Sequence, residues 1–512
     1  MAPSIPRSVS ANDVADTVSG RVDGGSTLPS VPKDLASRQM CSAMHLHPPL
    51  AAQVLLDYSI DNPKAWCPPF GVDAVALVRH AQAAHTHWRK LYDAVALTRY
   101  SLLGLVTLAA FLLWRDGLAT ALLSLPLIAV ACGVGWRTTF LSLQETRAAA
   151  IGIMEEEALG AQAPEVESDL EDELAALHDA NMIVFGVAAA SPFVGSGTEI
   201  GRWALSPIDI GRGRGRGRGR EENRDAARSP ATFTIRELHD DLIRLARSRL
   251  GLSDIEVTKR IYVRGDVLPD CEGLFHPDEM RPPSRLETSW VDLGSDAPGE
   301  QARTYVCLAK SLVGGRIVVT LVARYTLDQG ILSCEFAALV LPPVLRGSAP
   351  ATGFYGLFGE DLSPLRGRST TWALAIAAWR TYVAELFLRS ERGIDLARAR
   401  EERALHHYEA LQEGRRYDYG ALFSARELAA NASIESYFEV ADVRDCLLRM
   451  QRGVIDCLIA FLTDKGIDTS EIAAGQRRII NNITNIGEVS GRGNIFGNHG
   501  RVSNVEHVDQ SD

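Results

Sequence analysis

SLLGLVTLAAFLLW at 101–114, Arg115-Asp116-Gly117, and LATALLSLPLIAVACGVGW at 118–136 form the stretch on which the fold turns. The second run has 19 residues without a charge. As a helix it is about 28 Å long at ~1.5 Å per residue, against a hydrocarbon core of about 30 Å. The first run has 14 residues, and it reaches spanning length by recruiting VALTR before it, with the Arg99 head directed back to the interface. Only Arg115-Asp116-Gly117 separates the runs, so the pair is expected to form a tight antiparallel hairpin over 98–136, with the lipid bilayer as its partner. Arg89, Lys90 and Arg99 precede it and Arg137 and Arg147 follow it, against Arg115 at the turn. That bias predicts both termini in the cytoplasm and a cell-membrane location. Gly104, Ala109, Ala110, Ala119, Ala121, Ala129, Ala131 and Gly133 offer small surfaces for helix contact in lipid, and Pro126 is tolerated there. A hairpin buried in a soluble core would need a protein shell on every side. A re-entrant hairpin would leave the ends on the same side.

Before the hairpin, Val75, Val78, Trp88, Leu91 and Val95 recur at helical spacing, predicting a helical region over 71–150. Residues 1–70 are expected to be largely disordered, and the first forty lack the charged and apolar regions of a secretory signal. After the hairpin, ten acidic residues fall between Glu155 and Asp179. They predict an acidic helical linker at 151–180, broken near Gly160 and Pro164 and held away from anionic headgroups.

Residues 181–345 are expected to form an α+β domain. NMIVFG opens it with a short strand from Met182 to Val187, followed by SPFVGSGT at 191–198. There Gly195-Ser196-Gly197 could offer backbone N–H groups to an anion, with Ser191, Ser196 and Thr198 as polar contributors. No GxxxxGK[ST] or GxGxxG supports a nucleotide fingerprint, and a tight structural turn is the simpler reading. Gly211 to Arg220 reads GRGRGRGRGR, for which a loop expansion of no specific function is the simpler reading and contact of Arg212, Arg214, Arg216, Arg218 and Arg220 with anionic lipid the next. Without interleaved aromatics, nucleic acid is the weaker partner for this tract. Thr234 and Glu237 then stand at capping-box spacing ahead of Leu238, Leu242, Leu245, Ala246 and Leu250, with Gly251 as a stop. Strand-like 254–265 follows, and three β-branched runs near 303–311, 316–325 and 331–341 are joined by Gly314-Gly315 and Asp328-Gln329-Gly330. The expected fold class is α+β, a helical membrane hairpin followed by a cytoplasmic domain with an antiparallel β-meander packed by helices.

Residues 346–466 are read as helical. Trp372 to Leu388 is apolar apart from Arg380 and Glu385, which argues for a core or interface-lying helix rather than a third span. The helix over 438–465 has a wide apolar face for docking on the domain or for self-association, in which the flexible Asn/Gly-rich tail at 467–512 would also take part.

A net charge of -11 and a pI near 5.6 argue against a surface that is basic throughout. The eight cysteines form no CxxC pair or tight cluster, so neither a disulfide framework nor a zinc knuckle is expected. Cys271, His276, Asp278 and Glu279 share a loop without a recognised ligand spacing. No catalytic constellation, metal site or cofactor is implied.

NMIVFG…SPFVGSG at 181–197, YVCLAKSLVGGRIVVT at 305–320, ALVLPPV at 338–344 and GIDTSEIAAGQRRIINN at 466–482 resemble a group of uncharacterised actinobacterial membrane-associated proteins. The resemblance covers most of 90–490. It implies a short membrane hairpin ahead of the SPFVGSG-like segment, no assigned activity and no catalytic residue. The Gly-Arg tract and VAAA at 187–190 depart from the group's pattern, which puts any role of the segment before Ser191 in doubt. Two functions are then open. One is a membrane-anchored scaffold or sensor. The other is a membrane-associated enzyme with a lipid-proximal or anionic substrate, which would need a polar pocket joining the 191–198 loop to His239, Asp240 or another buried ionisable group.

Overall fold

The computed structural model describes residues 33–117, 122–155, 159, 163–210, 232–252, 254–271, 273–276, 279–296, 301–344, 369–387, 396–430, 434, 436–470 and 472. Its helices begin with α1 (Leu35–Leu46), α2 (Pro48–Asp57), α3 (Ala74–Asp116), α4 (Leu125–Glu155) and α5 (Ser168–Ala176). Strands β1 (Met182–Phe185), β2 (Thr198–Ala204) and β3 (Ile208–Asp209) follow, then α6 (Ile235–Arg249), β4 (Glu256–Arg264) and α7 (Thr288–Asp296). Next come β5 (Ala302–Leu312), β6 (Ile317–Asp328) and β7 (Ile331–Leu341), and the described chain closes with α8 (Ser369–Phe387), α9 (Leu396–Gln412), α10 (Ala425–Leu428) and α11 (Tyr437–Asp464).

The sheet runs in the order β1-β4-β5-β6-β7-β2, with β3 also on β7. Its centre, β4 to β7, is antiparallel in chain order as the three β-branched runs predict. The turn after β6 places Gln329 and Gly330 at φ 47° and 81°, the backbone twist that a two-residue hairpin requires. The edges correct the expected meander. β1 lies parallel to β4, so the sheet is mixed, and β2 returns antiparallel to β7. A parallel β1 has to be followed by a long excursion before β4, and that excursion holds the 191–198 loop, β2, β3 and α6.

One face of the sheet is covered by α6 and α11. Thr234 caps α6 by accepting from the Glu237 N–H at 3.2 Å. Leu238, Leu242 and Ala246 then pack with Val443, Leu447, Leu458 and the strand residues Val319, Leu321 and Phe336 in one core. The apolar face of α11 is therefore used inside this chain, and the large apolar residues it exposes are Tyr437 and Phe438 at its start.

The expectation of a largely disordered 1–70 is corrected from residue 33 onward. Helices α1 and α2 are buried against α3 and α4, where Arg38 donates to the Ile153 carbonyl at 3.0 Å and Ser42 to the Ala150 carbonyl at 3.2 Å. Asp73 caps α3 by accepting from the Ala76 N–H at 3.1 Å. The start of α1 is tied to the turn between β5 and β6, since the Ala36 N–H donates to the Gly314 carbonyl at 3.0 Å. That bond fixes the sheet to the base of the two long helices. The acidic stretch contributes α5, whose Glu171 takes a bidentate pair from Arg79 at 2.6 and 2.7 Å.

Candidate functional site

The long helices α3 and α4 behave as two different objects along their length. In their lower halves, Trp88, Leu91, Val95, Leu143 and Ala150 are buried with Leu46 and with Leu374, Ala377 and Ala378 of α8. Above that level the apolar side chains face outward. Leu103, Val106, Phe111 and Trp114 on α3, and Leu127, Val130 and Val134 on α4, are all exposed. The most apolar windows of the two helices are long enough to cross a membrane and are only 6% and 11% buried among the described residues. From Leu97 to Trp114 the exposed stretch of α3 rises about 26 Å at ~1.5 Å per residue.

Described hydroxyls on this projection and at its base bond back to their own helices. Ser101 donates to the Leu97 carbonyl at 2.9 Å and Thr107 to the Gly104 carbonyl at 2.8 Å. Thr138 and Thr139 both donate to the Gly135 carbonyl, at 2.8 and 2.9 Å. Hydroxyls folded back onto their own helix are what a low-dielectric surrounding demands. Arg99 lays its guanidinium over the Tyr100 ring, 5.3 Å from the centroid, at the base of the exposed stretch.

The 191–198 loop lies on the face of the sheet opposite α6. Ser191 Oγ accepts from the Phe193 N–H at 3.2 Å, and Phe193 inserts edge-on between Tyr262 and Tyr305. Gly195 and Gly197 have φ of 91° and 86°, and a Cβ on Gly197 would stand 2.3 Å from the Val340 carbonyl oxygen. Their amides do meet an anion, and it belongs to the chain. Gly197 donates to Glu427 Oε1 at 2.9 Å, Gly195 bonds the same carboxylate, and the Ser424 N–H donates to Oε2 at 2.9 Å. Ser424 Oγ in turn accepts from the Glu427 N–H at 3.2 Å, completing the capping box of α10. Burial pushes the Glu427 carboxyl up, opposed by these amides and by Arg426. Ser196 is fully buried with its Oγ unpartnered, and Thr198 begins β2 opposite Val340. Of the residues expected to receive an external anion, Gly195 and Gly197 are thus engaged by a side chain of the chain itself, 230 positions from Gly197.

His239 is not joined to this loop. It stacks edge-on against Tyr325, on the α6 side of the sheet, with Nδ1 3.1 Å from Ser295 Oγ. Burial, followed by the Lys259 charge, lowers its pKa to about 4. Asp240 instead pairs with Lys259 at 2.5 Å, and Lys259 also reaches Asp292 at 2.6 Å. Asp240 and Lys259 border a groove of about 580 Å³ beside the unpaired half of β4.

A second cleft, about 570 Å³, opens between α2 and α9 and includes Asp57, Lys64, Trp66, Arg403 and His406. Its charges are committed to structure. Arg403 bonds the Leu56 carbonyl at 3.1 Å and Asp57 at 3.3 Å, neutralising the C-terminal end of α2. Burial raises the Asp57 carboxyl despite Arg403, and lowers Lys64, which donates to the Gly420 carbonyl at 3.2 Å. Cys67 borders the cleft with its thiol pushed well up by burial, the wrong direction for a nucleophile.

Among the described residues no group of His, Cys, Asp and Glu is placed to hold a metal ion. All eight cysteines are free thiols, six of them buried. The Gly-Arg tract with Arg212, Arg214, Arg216, Arg218 and Arg220, and the tail beyond Ile472, lie outside the described residues. A family model described as an AbeC-like domain matches residues 205–499, which begin after the hairpin and the 191–198 loop. No curated protein and no solved structure matches the chain.

Proposed function

The chain belongs to the AbeC-like domain family, and on that premise we propose that it is a membrane-anchored scaffold or sensor whose family domain is held at the cytoplasmic face of the cell membrane by the 98–136 hairpin. The observation that carries this reading is the change along α3 and α4, from buried side chains up to Val95 to exposed apolar ones from Leu97 onward. Leaving two such helices in water would expose a contiguous apolar surface far larger than soluble proteins tolerate. Lipid removes that cost, and the back-bonded hydroxyls of Ser101, Thr107 and Thr138 suit the same surrounding. The basic residues flanking the base support termini in the cytoplasm.

The enzymatic alternative relied on the loop at 191–198 as an anion site. The Glu427 carboxylate on those amides favours the scaffold or sensor reading, because tethering at a surface needs only a raised effective concentration and no open anion site. The test uses the full chain and a variant in which 100–137 is replaced by a short Gly/Ser bridge, each mixed with phosphatidylcholine and phosphatidylglycerol vesicles and floated on a density gradient. The full chain rises with the vesicles and the variant stays at the bottom. Protease added outside sealed, inside-out membranes should then remove both terminal regions. Flotation of the bridged variant would refute the hairpin as anchor, and protection of either end would refute the topology.

A further inference from the structure

We propose that α8 is a third membrane-contacting helix, lying against the hairpin with its Trp372-Ile376-Trp379 stripe in the lipid interface; this rests on the membrane reading above. Helix α8 is apolar on two opposite sides. Inward, Leu374, Ala377, Ala378 and Tyr382 are buried against α3 and α4. Outward, Trp372, Ile376 and Trp379 are 77%, 51% and 53% exposed, and their spacing of four and three residues puts them in one row. A helix that is apolar all round belongs inside a large core or in contact with lipid, and the described chain covers only one of its sides.

The choice of lipid over a protein partner comes from where α8 sits. Trp136, the last residue of the charge-free run, donates its indole N–H to the Ala375 carbonyl at 3.3 Å. Beside Trp136 on the same helix, Gly135 meets the Tyr382 ring, which also lies beside Cys132 one helical turn deeper along the hairpin. The outward stripe is therefore at the level where the hairpin's own exposed apolar surface begins. Indole rings favour that level of a bilayer, where an apolar body and a polar N–H are both accommodated. Arg380, exposed next to Trp379, can carry its guanidinium to the headgroups along its own apolar stem.

The experiment places a photo-crosslinking benzoylphenylalanine singly at Ile376, Leu127 or Phe438 of the full chain in phosphatidylcholine and phosphatidylglycerol vesicles, and reads adducts by intact mass. Position 127 reports the hairpin, and position 438 an exposed aromatic on α11, outside the hairpin. The inference expects a one-phospholipid adduct at 376 and at 127 and none at 438. A lipid adduct at 127 with none at 376, or a protein-protein adduct at 376, overturns the α8 assignment and leaves the hairpin standing. No lipid adduct at either position overturns both.

Discussion

At the scale of single residues, the Glu427 carboxylate shows how a local motif can be read correctly in chemistry and misread in partner. Gly195-Ser196-Gly197 offers amides to an anion, as its spacing suggests, but the anion arrives from a helix cap 230 positions away, a separation over which a sequence carries no pattern. Replacing Glu427 by Ala leaves buried amides at Gly195, Gly197 and Ser424 without a partner and removes a capping box, a loss of about 2–4 kcal/mol in urea unfolding. Added acetate or formate should restore part of it by entering the vacated cradle, and Glu427→Gln, which keeps one acceptor, should lose less. A stability unchanged in Glu427→Ala would mean that the loop does not depend on this contact. The histidines make a second residue-scale prediction. His45 and His239 are both lowered from 6.5 to about 4, burial being the main cause, with His80 assisting at His45 and Lys259 at His239. Above pH 6.5 both are neutral folded or unfolded, so they do not affect the balance. As pH falls from 6.5 towards 4, the unfolded chain takes protons that the folded one refuses, and stability is lost across that window. The fully buried His239 should account for on the order of 2 kcal/mol at its acid end. His239→Gln should flatten the dependence of unfolding on pH there, and an identical slope in the variant would contradict the assignment.

At the scale of elements, strong periodicity was legible and burial against remote partners was not. Helix α6 with its Thr234 cap, the strands β5 to β7 with their glycine turns, and α11 all occur within a few residues of where hydrophobic spacing puts them. Helix α1 was missed because it buries polar side chains among its apolar ones. Ser37, Arg38 and Ser42 are buried on α1, and what makes that tolerable is the set of acceptors supplied by Ile153 and Ala150 on a helix more than a hundred residues on. Parallel β1 was recognisable as a strand but not in its pairing, since nothing in MIVF specifies β4 as its neighbour. The contact of α4 with α8 gives the element-scale prediction. A Cβ on Gly135 would stand 2.3 Å from the Tyr382 ring, whereas none of the surrounding atoms comes within 4 Å of one on Gly133. Gly135→Val should therefore destabilise the helical base by about 1–3 kcal/mol through overpacking, and Gly133→Val should be close to neutral in detergent-solubilised protein. Equal effects at the two positions would mean that α8 does not dock where it is described.

At the scale of the whole molecule, the chain divides into an apolar projection and a body that carries the buried cores. The sheet of that body is fixed to the hairpin base through the Ala36 to Gly314 bond and through α1. The projection was the most legible feature of the sequence, because a charge-free run of helical length needs no knowledge of tertiary partners to be recognised. The third helix at its base was only half legible. Its apolar character could be read, while its two covered and uncovered sides depend on how Tyr382 meets Gly135. The family domain and the hairpin are also separable in sequence, since the matched residues 205–499 leave the hairpin outside.

If the exposed halves of α3 and α4 reside in a bilayer, as proposed, membranes from cells expressing the full chain should retain it through extraction with alkaline carbonate. The protein is expected in the pellet after carbonate and in the supernatant only with detergent. Release by carbonate alone, as an intact species soluble without detergent, would contradict it.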